Sequence, residues 1–309
     1  MSQFSEPQTA SSSRRALPPS RPPSRFRPFF WVILFGIILP VAISQVPLEI
    51  GRWHFARAEQ LRAKGKKEAA YQELDAANGW FPNRAEILLK RAQWKLSDGQ
   101  REEALAAADR AVEKSQDGVG ANALRGVLLL EAGEFERAVE DLKKVVEFSR
   151  RSGIPPLKDA LNQLAYARAL QKANLDEALT EITEAIDLCP TEADKAGPQE
   201  YFVKGLFLDT RGYIYFLQDE FELAVQDLNE AVERVEKSIG IHEEGLAEDA
   251  MPPAVRAALG QGSSSAKAAA VIRYHRSLAL DALDRHEEAE KDRAMVRRLT
   301  GRDPDETLY

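Results

Sequence analysis

Apolar residues recur every three or four positions along most of the chain after residue 50, which is the period of an amphipathic α-helix. The periodic runs come in pairs, and in the first three pairs a glycine stands between the two runs: Gly65, Gly99 and Gly133. Because glycine adopts the left-handed conformation that often ends a helix, each glycine predicts a turn between two helices. The pattern therefore predicts three successive helix pairs of 34 residues each, over 51–84, 85–118 and 119–152.

Small residues occupy three columns of these units, at positions 8, 20 and 27 from the start of each unit. In the second unit the columns hold Ala92, Ala104 and Ala111. A small side chain lets two helix backbones approach closely. Positions 8 and 20 therefore predict contact within a unit, and position 27 predicts contact with the first helix of the next unit. Neither helix buries its apolar face alone, so the units are predicted to stack.

Three further units keep the seven-residue step between positions 20 and 27, and they span 159–190, 205–238 and 270–301. The first of them has one extra residue in its turn. The insert 239–269 separates the last two units; its first half is predicted to prolong the preceding helix and its Gly- and Ser-rich second half to form a loop. The last unit is predicted to cap the array, because arginines replace apolar groups on its outer side: Arg293, Arg297 and Arg298. Residues 302–309 follow as a short tail.

These columns resemble the tetratricopeptide repeat (TPR), and the resemblance covers most of residues 51–301. It implies an all-α fold, a right-handed α-solenoid of about six helix-turn-helix units. The units are degenerate, since His54 at position 4 and Lys95 at position 11 stand where the family has large apolar residues.

The resemblance also implies a concave groove, lined by the first helix of each unit, that binds a protein or peptide. Here the groove positions are apolar and aromatic, with a few polar groups: Phe55, Leu89, Gln93, Val127, Asn162, Tyr166, Asp209, Tyr213 and Phe216. Some members of the family hold a chaperone's terminal carboxylate with Lys, Arg and Asn at such positions. Because Phe55, Glu59 and Leu89 stand there in this chain, no carboxylate clamp is expected.

The amino-terminal segment precedes the repeats and has a different composition. Residues 1–28 are rich in Pro, Ser and Arg, which predicts a disordered basic tail. The stretch Phe29–Leu48 contains no charged residue, and as a helix it would be roughly 30 Å long, enough to cross a membrane. It is predicted to be a transmembrane signal anchor that leaves the Arg-rich tail in the cytoplasm and the repeats outside. A signal peptide cleaved near Ser44 and a buried helix of a soluble protein remain as alternatives.

The net charge and the residues available for catalysis or metal binding exclude several classes of function. The net charge is −7, and the tail contributes +4 (five Arg and one Glu), which leaves −11 for the rest and disfavours nucleic acid as a partner. The lone Cys189 allows no intrachain disulfide and is predicted to be a structural thiol. No two of the four histidines are spaced as in a helical zinc site, and neither a phosphate loop nor a nucleophile elbow is present. The sequence therefore predicts no cofactor, no metal and no small-molecule substrate.

The resulting interpretation is a membrane-anchored TPR scaffold or adaptor that binds a partner protein or peptide and is not an enzyme. Two alternatives stay open. One is a docking receptor that faces the cytosol, and the other is an enzyme of envelope polymers with a site in the insert 239–269.

Overall fold

The computed structural model describes residues 36, 39–81, 84–115, 118–190, 197–240 and 264–304. Helices joined by turns make up these ranges, and no strand occurs within them. The twelve helices are α1 Leu39–Ala63, α2 Lys67–Trp80, α3 Ala85–Ser97, α4 Arg101–Lys114, α5 Val119–Glu131, α6 Phe135–Arg151, α7 Lys158–Gln171, α8 Leu175–Asp187, α9 Pro198–Leu217, α10 Phe221–Ile239, α11 Ser264–Ala282 and α12 His286–Thr300.

The helices pack as six consecutive antiparallel pairs, from α1 with α2 to α11 with α12, and we call each pair a repeat. In the first three repeats the turn contains the predicted glycine, with φ of +73° at Gly65, +75° at Gly99 and +76° at Gly133. The N–H that follows the glycine donates to a carbonyl of the last helical turn, as Gln100 does to Lys95 at 2.9 Å. These bonds use carbonyls that the end of a helix leaves open, so the predicted turns are confirmed.

The last three repeats make the same turn without glycine. Left-handed residues end their first helices, with φ of 53° at Lys172, 60° at Asp219 and 58° at Asp284. In the fourth repeat a second left-handed residue, Asn174 with φ of 53°, precedes α8. Three residues separate the two helices here as in the other repeats, but two of them instead of one follow the left-handed residue that ends the first helix.

Two compact bodies make up the chain, one within residues 1–80 and the other from residue 81 onward. In the second body, the second helix of each repeat packs on the first helix of the next repeat, as α4 does on α5. The first helices also contact one another in order: α3 with α5, α5 with α7, α7 with α9 and α9 with α11. These five helices form the inner layer of the second body, as the stacking argument predicts.

The columns of small residues lie where helices touch. Ala92, Ala104 and Ala111 have no exposed surface, and the same holds for the alanines of the other repeats in these columns. Position 8 of the fifth repeat is Gly212, where an added Cβ would lie 2.7 Å from Cγ of Leu228 in the facing helix. That distance is shorter than atoms tolerate, so the column is required by close packing of α9 on α10.

An ion pair within the repeat recurs at equivalent positions, and it was not predicted. Arg125 donates to Asp141 at 2.6 and 2.9 Å, and Arg211 donates to Asp227 at 2.5 and 2.9 Å. Arg276 binds Asp292 in the same bidentate manner. These hydrogen bonds raise the pKa of Arg125 and of Arg211. The spacing of sixteen residues between Arg and Asp is visible in the sequence three times and links the two helices of a repeat.

The insert differs from its prediction at both ends. Helix α10 ends at Ile239, because Gly240 takes a left-handed conformation with φ of 72°. The prediction that the first half of the insert prolongs this helix is therefore wrong. At the other end, α11 begins at Ser264, before the predicted start at residue 270, since the alanine-rich stretch after it favours a helix. Residues 241–263 lie outside the described residues.

The predicted amino-terminal tail and nine of the twenty residues of the predicted span Phe29–Leu48, namely 29–35, 37 and 38, lie outside the described residues. The last part of the span belongs to α1, which continues without interruption to Ala63 and contains Pro47. Within the ranges that the structure describes, no helix combines the length and the apolar character that crossing a membrane requires.

The last helix confirms the predicted polar end of the array. Met295, Val296 and Leu299 of α12 are buried against the repeat. Its arginines form ion pairs on the other side, where Arg293 binds Asp281 and Glu290 and Arg297 binds Glu290. The outer side of α12 thus carries charge pairs that Arg293 and Arg297 form within their own repeat.

Candidate functional site

Three first helices of the second body surround an open cavity of about 280 Å³, which we call the inner cavity. Helix α7 contributes Asn162 and Tyr166 to it. The remaining lining residues come from α9 and α11: Leu206, Asp209, Thr210, Lys267, Ala268 and Val271. Helices α7 and α9 belong to adjacent repeats, as do α9 and α11, so stacking of the repeats creates this cavity.

A second cavity of about 370 Å³, the neighbouring cavity, lies directly beside the first. Its apolar lining comes from the third and fourth repeats: Leu130, Phe135 and Leu170. Tyr166 and Lys267 line both cavities, so the two adjoin at these side chains. We call the two adjoining cavities together the groove.

The groove contains a polar atom that the protein does not satisfy. The side-chain oxygen Oδ1 of Asn162 is buried and accepts no hydrogen bond. An unsatisfied buried acceptor costs free energy comparable to that of a lost hydrogen bond. Asn162 was predicted to face the groove, and the structure places it in the lining of the inner cavity.

Each charged group of the lining has a polar partner among the described residues, with one exception. Arg101 and Glu131 form an ion pair at 2.7 Å at the edge of the neighbouring cavity. Asp209 binds Nδ1 of His275 at 2.8 Å. Lys267 is exposed, and it forms no ion pair with any of the described residues. Burial raises the pKa of Tyr166, and the Asp209 carboxylate adds to that shift, so the Tyr166 hydroxyl stays protonated.

Two of the predicted groove residues are buried in packing instead. Tyr213 is 5% exposed and stacks on the ring of His275, with 4.2 Å between the ring centroids. Asp209 is 7% exposed and holds the same histidine, although its side chain still borders the inner cavity. Helix α11 thus places His275 against both side chains, and of the two only Asp209 borders the inner cavity. Contact of Tyr213 and Asp209 with a partner stays a prediction.

The other predicted groove residues are spread along the chain. Phe216 is half-buried and packs between Tyr213 and Phe221. Leu89 is half-buried beside the core residues of the second and third repeats, Val127 is half-buried and Gln93 is exposed. Phe55, also half-buried, belongs to the first body. The structure thus brings three of the predicted residues together in the inner cavity, namely Asn162, Tyr166 and Asp209.

Sequence reasoning missed the residues that α11 contributes. Lys267, Ala268 and Val271 were assigned to the insert or to the first positions of the last repeat, but α11 begins at Ser264 and carries them into the groove. The run of alanines from Ala268 to Ala270 is a helical signal that the neighbouring serines obscured. Leu206 of α9 occupies position 2 of the fifth repeat and was missed because the predicted lining was drawn from positions 5, 9 and 12 alone. Thr210 was missed because it lies beside these columns.

Reactive groups are sparse in the part of the chain that the structure describes. No three His, Cys, Asp or Glu side chains lie close enough there to hold a metal ion. Cys189 is buried, its Sγ lies 3.5 Å from the carbonyl oxygen of Ala185, and burial raises the pKa of its thiol. A thiol in this state is a poor nucleophile, as expected for a structural cysteine.

Comparison with known proteins supports the assignment of the fold. No family model matches the chain. A region of 152 residues is 27% identical to DnaJ homolog subfamily C member 3 of Rattus norvegicus, and the match covers 46% of this chain and 30% of that protein. The apo form of RapI superposes with a TM-score of 0.55 and 15% identity, covering 81% of this chain and 98% of that structure. YrrB, described as a TPR protein with an unusual peptide-binding site, has a TM-score of 0.42 and 16% identity over 76% of this chain and 94% of its own.

The fold is TPR-like. The TPR-like repeats of this chain have the helix pairs, the turns and the buried small residues that the resemblance implies. Their inner layer of first helices carries the groove.

Proposed function

We propose that this protein is a scaffold whose TPR-like repeats bind an extended segment of a partner protein in the groove, without catalysing a reaction. The observation that supports this proposal is the groove itself. Two cavities with apolar residues in their walls share Tyr166, and one of them is lined by Asn162, whose buried Oδ1 has no hydrogen-bond partner. An apolar depression with a few fixed polar groups is the usual form of a binding site.

Site-specific photo-crosslinking in living cells tests this function. A benzophenone amino acid at Val271, in the inner cavity, is expected to form covalent adducts with a partner. The same amino acid at Leu223, which is 43% exposed on the second helix of its repeat, is the matched control and is expected to form none above background. Circular dichroism confirms that both variants fold. Equal adduct yields from the two positions would show that the groove is not where a partner binds.

We also propose that the uncharged stretch Phe29–Leu48 anchors the scaffold in a membrane, with the repeats outside the cytoplasm. The support is the sequence of that stretch and its Arg-rich flank. Protease added to intact cells is expected to digest the repeats. In untreated cells the whole protein is expected in the membrane fraction. Digestion that requires opened cells would favour a docking receptor facing the cytosol, and release of the chain into the medium would favour cleavage near Ser44.

A further inference from the structure

The polar groups of the groove specify the chemistry of the partner as well as its shape. We propose that the groove selects an extended segment in which an acidic side chain lies between two apolar side chains, with the carboxylate against Lys267. This inference rests on the proposed function and adds the class of partner to it. It follows from the charges of the lining, the two cavities and the free acceptor.

The charge of the segment follows from the pairing within the groove. Arg101 forms an ion pair with Glu131 and Asp209 is hydrogen-bonded to His275, whereas Lys267 has no ion-pair partner among the described residues. A carboxylate from the partner would give Lys267 an ion-pair partner. The repeats as a whole are acidic, but exposed charges beyond about 8–10 Å are largely screened at physiological salt. The local cation therefore decides which charge is accepted.

The position of the carboxylate follows from the two cavities. The neighbouring cavity offers Leu130 and Leu170 on one side of Lys267, and the inner cavity offers Leu206 and Val271 on the other side. A segment that fills both with apolar side chains continues past Lys267 in both directions. The group that meets Lys267 is therefore an Asp or Glu side chain and not a chain terminus.

The backbone conformation of the segment follows from Asn162. Its Oδ1 is buried without a donor, and a rotation of the side chain toward the inner cavity would let it accept from a backbone N–H of a bound segment. In a helical segment these N–H groups are used by the helix itself, except in its first turn. An extended segment leaves them free, so it satisfies Asn162 while its side chains enter the cavities.

A displayed library of random octapeptides, flanked on both sides by Gly-Ser linkers so that no terminus is free, tests the proposal against the full-length protein in detergent. The wild type is expected to enrich peptides with Asp or Glu between apolar residues. Lys267→Ala is expected to lose the acidic preference and keep the apolar one, and Lys267→Glu is expected to select Lys or Arg instead. The matched control Lys291→Glu reverses an exposed charge on α12 and should select as the wild type does.

Affinity provides the second readout. A blocked synthetic peptide with the wild-type consensus is expected to bind Lys267→Ala roughly fivefold more weakly, which is the scale of a partly exposed ion pair. The loss should shrink as salt is raised, because screening weakens the same interaction in the wild type. An equal affinity for the wild type and Lys267→Glu would overturn the proposal.

The outcomes separate this inference from the proposed function. Enrichment of apolar peptides without an acidic residue would refute the role of Lys267 and leave the groove as the binding site. Ala268→Trp, which fills the inner cavity, is the variant that tests the groove. Failure of the wild type to enrich any peptide, or equal binding of its peptides to a folded Ala268→Trp variant, would refute the proposed function itself.

Discussion

Replacing Arg273 with Met is expected to lower the free energy of unfolding of the last two repeats by about 3–5 kcal/mol. The side chain of Arg273 is 2% exposed and lies where the fifth and sixth repeats meet. It donates to both carboxylate oxygens of Glu236 at 2.5 and 2.9 Å and to Asp292 at 2.8 Å. Asp292 keeps Arg276 in the variant, but Glu236 loses these bonds and stays buried as a charge.

Urea unfolding followed by circular dichroism measures this loss, and hydrogen exchange localises it to α10, α11 and α12. Arg285→Met is the matched control, because Arg285 pairs with Glu288 on the surface, and it is expected to cost less than about 1 kcal/mol. Adding Glu236→Leu to Arg273→Met removes the stranded charge and is expected to restore much of the stability. Similar effects of the two arginine replacements would contradict the assignment of Arg273 as a buried link between repeats.

Replacing Gly212 with Val is expected to destabilise the fifth repeat by about 2–3 kcal/mol. The first added carbon already lies 2.7 Å from Cγ of Leu228 and 3.2 Å from the carbonyl oxygen of Ala224. The two methyl groups of valine increase the overlap, so α9 and α10 must move apart. Thermal or urea unfolding measures the change, and hydrogen exchange is expected to show faster exchange in these two helices.

The control and the second variant isolate the packing effect. Gly79→Val also replaces a helical glycine, but no atom lies within 4 Å of its added Cβ, so it is expected to change stability by only a few tenths of a kcal/mol. Shortening the partner side chain with Leu228→Ala in the Gly212→Val background should relieve part of the strain, with a coupling of roughly 1 kcal/mol or more. Strict additivity of the two changes would show that Gly212 and Leu228 do not press against each other.

The local structure was largely predictable because its signals are local. The period of the apolar residues marked the helices, and the glycines at 65, 99 and 133 marked their turns. The turns at Lys172, Asp219 and Asp284 lack that marker, and only the spacing of the small columns located them. The recurring Arg–Asp pair was also visible as a fixed spacing, but a spacing shows no contact until the helices are placed side by side.

The groove was only partly predictable, and the fifth repeat shows why. Position within a repeat told which side of α9 Asp209 and Tyr213 occupy, and that side does face the inner layer. The position within a repeat did not reveal that His275 of the next repeat packs against both side chains. Lys267 was missed for the converse reason, since its helix starts earlier than the repeat pattern indicates.

The sequence by itself determined the helices, their pairing, most of their turns and the small residues at their contacts, because each depends on neighbours at most one repeat away. The tertiary structure alone decided which inner-layer side chains remain open, since that depends on how α7, α9 and α11 meet. No single segment determines the burial of Tyr213, the exposure of Lys267 or the unsatisfied Oδ1 of Asn162. All three depend on how these helices pack against one another.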